Sequence, residues 1–183
     1  EKHFLGAMID PLEGHLDPSG TTHAYAGAAR KLGAEIYRQT RVMETNPRKD
    51  GGWDVVTDKG TLTAEHVINA GGLWAREVGR MVGLELPVLA MEHHYIVTEE
   101  IPEVANHGSE ILATQDYTGE IYMRQEGKGV LLGTYEQACV PWSPEKTPED
   151  FSMELLPHDL DRIAPSLELG FAHFPAVGRA GMK

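Results

Sequence analysis

The run Val67-Ile68-Asn69-Ala70-Gly71-Gly72-Leu73-Trp74-Ala75 sets the frame for the whole chain. Val67 to Ala70 is apolar enough to read as a buried strand, and the glycine pair breaks it. Beyond the pair, Trp74, Val78, Met81 and Val82 recur at helical spacing until Gly83 stops them. The order strand, glycine turn, helix is an α/β junction. A glycine pair admits a backbone or ligand where a Cβ would clash. The helix start that follows offers unpaired N–H groups and the positive dipole end, suited to a phosphate. The spacing is not G-x-G-x-x-G, so a purely structural turn stands beside that reading.

Upstream, residues 4–9 read as a short strand, and Asp10 to Pro18 as turns. Ser19 and Thr21 are placed to cap a helix that carries Ala24, Ala28 and Leu32 at four-residue spacing and ends at Gly33. Residues 34–42 alternate as a strand, and Trp53–Thr57 and 61–64 flank Asp58-Lys59-Gly60 as a hairpin. After Pro87 the character changes. Residues 88–98 are long and β-rich, and 121–124 with 130–132 form a second hairpin through Gly127-Lys128-Gly129. Residues 140–150 are a proline-rich loop, and 155–163 read as a helix. The fold class is α+β: an α/β portion over residues 1–86, then a largely antiparallel β portion over 87–183.

Composition narrows the partners. The chain has 183 residues, 16 Lys and Arg against 28 Asp and Glu, and a net charge of −12. With no basic cluster, nucleic acid and anionic membrane surfaces are not expected partners. Hydrophobic residues make up 41%, enough for a real core, and no apolar run approaches the ~18–20 residues of a membrane span. The single cysteine, Cys139, excludes an internal disulfide framework and any multi-cysteine zinc site. Glu1-Lys2-His3-Phe4-Leu5 has no initiator methionine, and Gly181-Met182-Lys183 ends as abruptly; an internal piece of a longer chain is expected.

Candidate chemistry gathers in the second half. His93 and His94 are adjacent, and on a strand their imidazoles would diverge, so no metal is expected there. His93 shares a face with Met91 and Tyr95 by the same rule, and Tyr122 shares one with Arg124. A phenol beside a guanidinium can hold a carboxylate and a neighbouring polar atom, although Arg124 equally suits a surface role. Cys139, next to Val140-Pro141 with no base adjacent, reads as a buried inert thiol. There is no G-x-S-x-G, and the three tryptophans read as core or rim residues.

Four segments in series resemble the FAD-dependent amine oxidoreductases of the D-amino-acid oxidase type, and most of all the dimethylglycine and sarcosine dehydrogenases. They are Gly14-His15-Leu16-Asp17-Pro18, then Asn69-Ala70-Gly71-Gly72-Leu73-Trp74-Ala75-Arg76-Glu77-Val78-Gly79, then Met91-Glu92-His93-His94-Tyr95-Ile96-Val97-Thr98. The fourth is Ile121-Tyr122-Met123-Arg124-Gln125-Glu126 running on to Gly133-Thr134-Tyr135-Glu136. The resemblance implies a Rossmann-type FAD domain, incomplete here, interleaved with a substrate domain on an antiparallel sheet. It places Val42, Ala70, Gly71 and Tyr122 at the cofactor, His93 and Tyr122 at the reacting amine, and Arg124 with them at the substrate.

The implied reaction takes hydride from an N-methyl carbon to FAD. The partners implied are an N-methyl amino acid and an electron-transfer flavoprotein, with tetrahydrofolate bound through a further C-terminal region. Compartment follows source: mitochondrial matrix for a eukaryotic chain, cytoplasm for a bacterial one. The family's G-x-G-x-x-G strand and its flavin-attaching histidine are absent from these residues, so the 183 residues alone are expected to bind FAD weakly and not turn over. Two other readings stand beside this one. A non-catalytic relative, the regulatory subunit of pyruvate dehydrogenase phosphatase, keeps the scaffold for protein contacts; the other is a solitary α+β domain.

Overall fold

In a computed structural model, residues 3–183 are described. They form two compact units, each assembled from discontinuous segments. One unit comprises Leu16–Ala90 and Pro141–Glu154; the other comprises Glu1–His15, Met91–Val140 and Leu155–Lys183. The sequence reading drew a single boundary near Pro87. The chain instead changes unit at residues 15/16 and 90/91 and crosses back for 141–154, the last because that loop is held by hydrogen bonds to the helix after the glycine pair.

In the first unit, helix α1 spans Pro18–Lys31. Its cap is Asp17, whose carboxylate accepts the Gly20 N–H at 2.5 Å, rather than Ser19 or Thr21. Pro18 explains the shift: at the first helical position its missing N–H costs nothing, so the helix starts ahead of both candidates. Strands β1 (Val42–Pro47), β2 (Trp53–Thr57) and β3 (Gly60–Ala64) form an antiparallel sheet in the order β1-β2-β3, with the expected hairpin between β2 and β3. After the glycine pair, a single 3₁₀ turn at Gly72–Trp74 leads into α2, Ala75–Arg80. The returning loop docks on this helix. Trp74 Nε1 donates to the Pro148 carbonyl at 2.8 Å, Arg76 Nη1 to that of Pro144 at 2.6 Å, and the Thr147 N–H to Glu77 Oε1 at 2.8 Å.

The second unit carries a four-stranded antiparallel sheet in the order β4-β7-β6-β5. Its strands are β4 (Tyr95–Val97), β5 (Thr114–Asp116), β6 (Ile121–Glu126) and β7 (Gly129–Thr134), with a one-turn helix α3 (Pro102–Ala105) between β4 and β5. Helix α4 (Leu160–His173) and the short α5 (Pro175–Arg179) follow. Ile163 and Leu167, one turn apart on α4, meet Ile96, Ile121, Met123, Val130 and Leu132 of the sheet. Gly170 continues that stripe because nothing larger fits: a Cβ there would lie 3.1 Å from Ile121 Cδ1 and 3.2 Å from Leu132 Cδ1.

Several expected strands do not form. Residues 4–9 and 67–70 carry no strand pairing, and Ile68 is exposed. Within 34–42 only Val42 enters a strand, and within 88–98 only Tyr95–Val97 pairs along β7. An apolar run becomes a strand only where a neighbour takes up its N–H and C=O groups in a continuous ladder, and outside the paired residues these runs make at most isolated backbone contacts, such as the Glu92 N–H to the Val140 carbonyl at 2.9 Å. The helix expected over 155–163 begins later. Asp159 caps it by accepting the Arg162 N–H at 3.1 Å, and the apolar spacing carries it on to His173. No helix among the described residues is long and apolar enough to cross a membrane.

Leu132 is fully buried at the centre of the second unit's core. Leu132→Ala is expected to lower the unfolding free energy by about 2–5 kcal/mol through lost transfer energy plus an unfilled cavity. Urea denaturation of the protein with and without the substitution measures it.

Candidate active site

Alternation along β6 places the first functional side chain. Ile121 and Met123 turn into the core, so Tyr122 and Arg124 turn to the opposite face. Tyr122 pairs across the sheet with Gly133 of β7. A Cβ on Gly133 would stand 2.1 Å from Tyr122 Cζ, so the ring lies flat on β7 only because no side chain occupies that spot. His93, from the segment before β4, stacks against Tyr122 with ring centres 6.1 Å apart and planes 14° apart. Tyr135 completes a triangle, 5.8 Å from His93 and 5.4 Å from Tyr122. His93 and Tyr122 are thus brought together on one sheet face. Arg124 shares that face, but its Nη1 donates to the Gln125 carbonyl at 3.1 Å and pairs with Glu126 at 2.7 Å.

Beneath the triangle lies a residue that sequence reasoning passed over. Glu136 continues the parity of Val130, Leu132 and Thr134, and its side chain is 2% exposed. Its Oε2 accepts the Thr134 hydroxyl at 2.9 Å and stands 3.6 Å from His93 Nδ1. Its Oε1 has no hydrogen bond among the described residues; His94 Nδ1 stands at 3.7 Å and Arg162 Nε at 4.0 Å. Arg162 in turn donates to Glu92 at 2.8 Å, and its Nη2 lies 2.7 Å from His94 Nδ1. A guanidinium only donates, so His94 Nδ1 accepts. The Asp159 N–H also points at His94 Nε2, at 3.1 Å, but a neutral imidazole accepts at one nitrogen only, and the shorter, charge-assisted contact is the stronger.

The expected divergence of His93 and His94 therefore fails. Both lie outside β4, where strand alternation does not apply, and their Nδ1 atoms approach different oxygens of one carboxylate. Cys139 is likewise exposed rather than buried, its thiol donating to the Glu136 carbonyl at 2.9 Å; the proline-rich loop it precedes leaves it at the surface.

Electrostatics follow from these contacts. Burial works to raise the pKa of Glu136, but its own backbone N–H, the Thr134 hydroxyl and the two histidines outweigh it and hold the carboxyl below its ordinary value. Burial pushes the Tyr122 phenol above its usual value, with Tyr135, Tyr95 and Glu136 adding and Arg124 opposing. At neutral pH that hydroxyl keeps its proton and is a donor. A second buried pair joins α4 to the end of β5, where His173 Nδ1 meets Asp116 Oδ2. Asp116 Oδ1 also takes the N–H groups of Thr118 and Gly119, each at 3.0 Å. Burial again opposes ionisation, and the Gly119 N–H and His173 prevail over it to keep Asp116 low.

The cofactor candidates lie in the other unit. The Asp58 N–H donates to the Arg41 carbonyl at 3.0 Å, so Val42, one step on in the ladder, turns its own N–H and C=O away from β2. Because β1 is an edge strand, those groups face outward, as a backbone that touches a ligand must. At the glycine pair, the Gly71 N–H is taken by Asn69 Oδ1 at 3.1 Å, and Asn69 Nδ2 donates to the Ala75 carbonyl at 2.8 Å. That turn is closed on itself. Gly72, at φ +53° with open space where a Cβ would point, is the position a ligand can approach.

Comparison with known proteins supplies the frame. A profile described as FAD dependent oxidoreductase (DAO) matches residues 1–181. The chain belongs to this family. It is 40% identical over 182 residues to the mouse protein named dimethylglycine dehydrogenase, mitochondrial, covering 97% of this chain and 21% of that protein. To the mouse sarcosine dehydrogenase, mitochondrial, it is 30% identical over 185 residues, covering 98% and 20%. The chain thus spans about a fifth of the length of these relatives. L-proline dehydrogenase from P. horikoshii shares the fold at a TM-score of 0.66 and 20% identity, over 91% of this chain and 41% of that one. For a family built around FAD, the outward backbone at Val42 and the space beside Gly72 fit a dinucleotide's edge.

Two outcomes follow. Asp116 and Glu136 both have folded pKa values below their unfolded ones, so the stability they contribute is present above about pH 4–4.5 and is lost as pH falls through the folded values. Melting temperature is expected to be level from pH 7 to 5 and to drop below about pH 4, less steeply in Asp116→Asn. Gly133→Ala is expected to lift the Tyr122 ring from β7, seen as a change in near-UV circular dichroism with far-UV signal retained.

Proposed function

We propose that the chain is part of a flavin-dependent dehydrogenase that demethylates an N-methyl amino acid, dimethylglycine or sarcosine. The observation that carries this reading is the meeting of His93 and Tyr122 on one exposed sheet face above a buried carboxylate. When bound, FAD supplies the acceptor for a hydride from the N-methyl carbon. Val42 is the residue we assign to its edge by backbone contact, with Ala70 and Gly71 in the closed turn that leads to the open position at Gly72.

The protein's own residues prepare the amine. An ammonium has no lone pair with which to expel hydride from the adjacent carbon, so its proton must leave first. His93 takes it: the substrate N–H bond breaks and an N–H bond forms on the imidazole. The Tyr122 hydroxyl, which keeps its proton, donates to the substrate carboxylate and fixes the methyl group's direction. Arg124 adds positive charge on that face, although Glu126 already claims part of it.

The test is the absorbance of the full-length protein. Flavin bands are expected to bleach on adding dimethylglycine or sarcosine, and anaerobic stopped flow gives the rate. His93→Ala is expected to slow bleaching by about 10²–10⁴-fold, the usual range for a lost general base. Tyr122→Phe should raise KM more than it lowers kcat. Flavin bands indifferent to every N-methyl amino acid would overturn the reaction, and a colourless protein would favour the regulatory relatives.

A further inference from the structure

Glu136 is a buried carboxylate with an orphaned oxygen, and the reaction as derived so far gives it no work. A buried, unpaired anion is expensive unless opposite charge faces it. Two groups can do so. Arg162 faces Oε1 through its Nε at 4.0 Å, a nitrogen with no hydrogen-bond partner among the described residues, while its Nη1 is spent on Glu92. His93 stands 3.6 Å from Oε2 and is 44% exposed, free to gain and lose a proton against solvent or substrate. That separation is a charge contact rather than a hydrogen bond, and such contacts tighten when charge arrives.

We infer that Glu136 is a positioning residue for His93, holding the ring's proton on Nδ1 so that Nε2 presents a lone pair to the amine. The argument rests on the assignment of His93 as the base. In the neutral ring, the proton sits on the nitrogen that faces the carboxylate, which is Nδ1. When Nε2 then takes the substrate's proton, the positive charge that forms lies beside an anion already in place. The remaining neighbours are Tyr122, which stacks on the ring, and Tyr135, tilted against it; Tyr95 and Arg124, which act on Tyr122 from the same unit; and His94, Arg162 and Glu92 behind the carboxylate. Thr134 anchors Oε2, which keeps the carboxylate aimed at His93.

The experiment compares the full-length flavoprotein with its Glu136→Gln and Glu136→Asp variants. Two readouts are taken at one mildly alkaline pH: kcat/KM, and the rate at which diethylpyrocarbonate modifies His93, followed by peptide mass spectrometry. That reagent reacts at an unprotonated ring nitrogen, so its rate reports how the lone pair of His93 is presented, without turnover. Glu136→Gln is expected to slow both by about tenfold or more, with flavin content unchanged, because the group that orients the ring has gone. Glu136→Asp, which keeps the charge, should restore both most of the way. An unchanged modification rate in Glu136→Gln would overturn the inference. A wild-type protein inert to N-methyl amino acids would instead refute the proposed reaction, and the modification rate would still decide the role of Glu136.

Discussion

Strand β7 is the constraint on which the candidate site depends. All six of its residues are buried, and it pairs with β4 on one side and β6 on the other. That central place brings the segment preceding β4, with His93, alongside Tyr122 of β6. The bare surface of Gly133 lets the phenol ring lie down between them. Just past the strand, Tyr135 and Glu136 point to opposite sides, one into the aromatic triangle and the other beneath it. One short stretch, Gly133-Thr134-Tyr135-Glu136, therefore supplies the floor, the anchor, a wall and the charge.

The energetics explain why such an arrangement is stable. Helix α4 closes the opposite face of the sheet through Ile163 and Leu167, with Gly170 permitting the approach. The same helix carries Arg162 from its first turn to the Glu92, His94 and Glu136 cluster. Hydrophobic packing on one side of α4 thus holds a charged network in register on the other, where a loose surface ion pair would contribute little.

Pattern and turn chemistry made much of the local structure legible. The hairpin at Asp58-Lys59-Gly60, the hairpin through Gly127-Lys128-Gly129, the helix following the glycine pair and the α1 helix were each readable from period and punctuation, although Gly60 and Gly129 already belong to the second strand of each hairpin. The strands that failed were lone runs, whether read from apolar content, as 67–70 and most of 88–98, or from alternation, as 34–41. A hairpin brings its own partner, whereas a lone run must find one elsewhere. In the site, His93, Tyr122 and Arg124 stood out as residue types, but Glu136 did not. Its only signal was parity: a charge placed two residues beyond Thr134 on the buried side of a strand.

By itself the sequence determined the residue types at the site, the positions of the two hairpins, the low cysteine content, the acidic balance and the membership of a flavoprotein family, because each depends on neighbours in the chain or on composition. Tertiary structure alone decided which charges meet. Glu136 faces His93, and Arg162 faces His94, because two strands and a helix distant in sequence share one core. The chain's crossing back at residues 141–154 was equally invisible, since the hydrogen bonds from Trp74, Arg76 and Glu77 that hold it span more than sixty residues. No local period encodes contacts at that separation; they exist only once the core has closed.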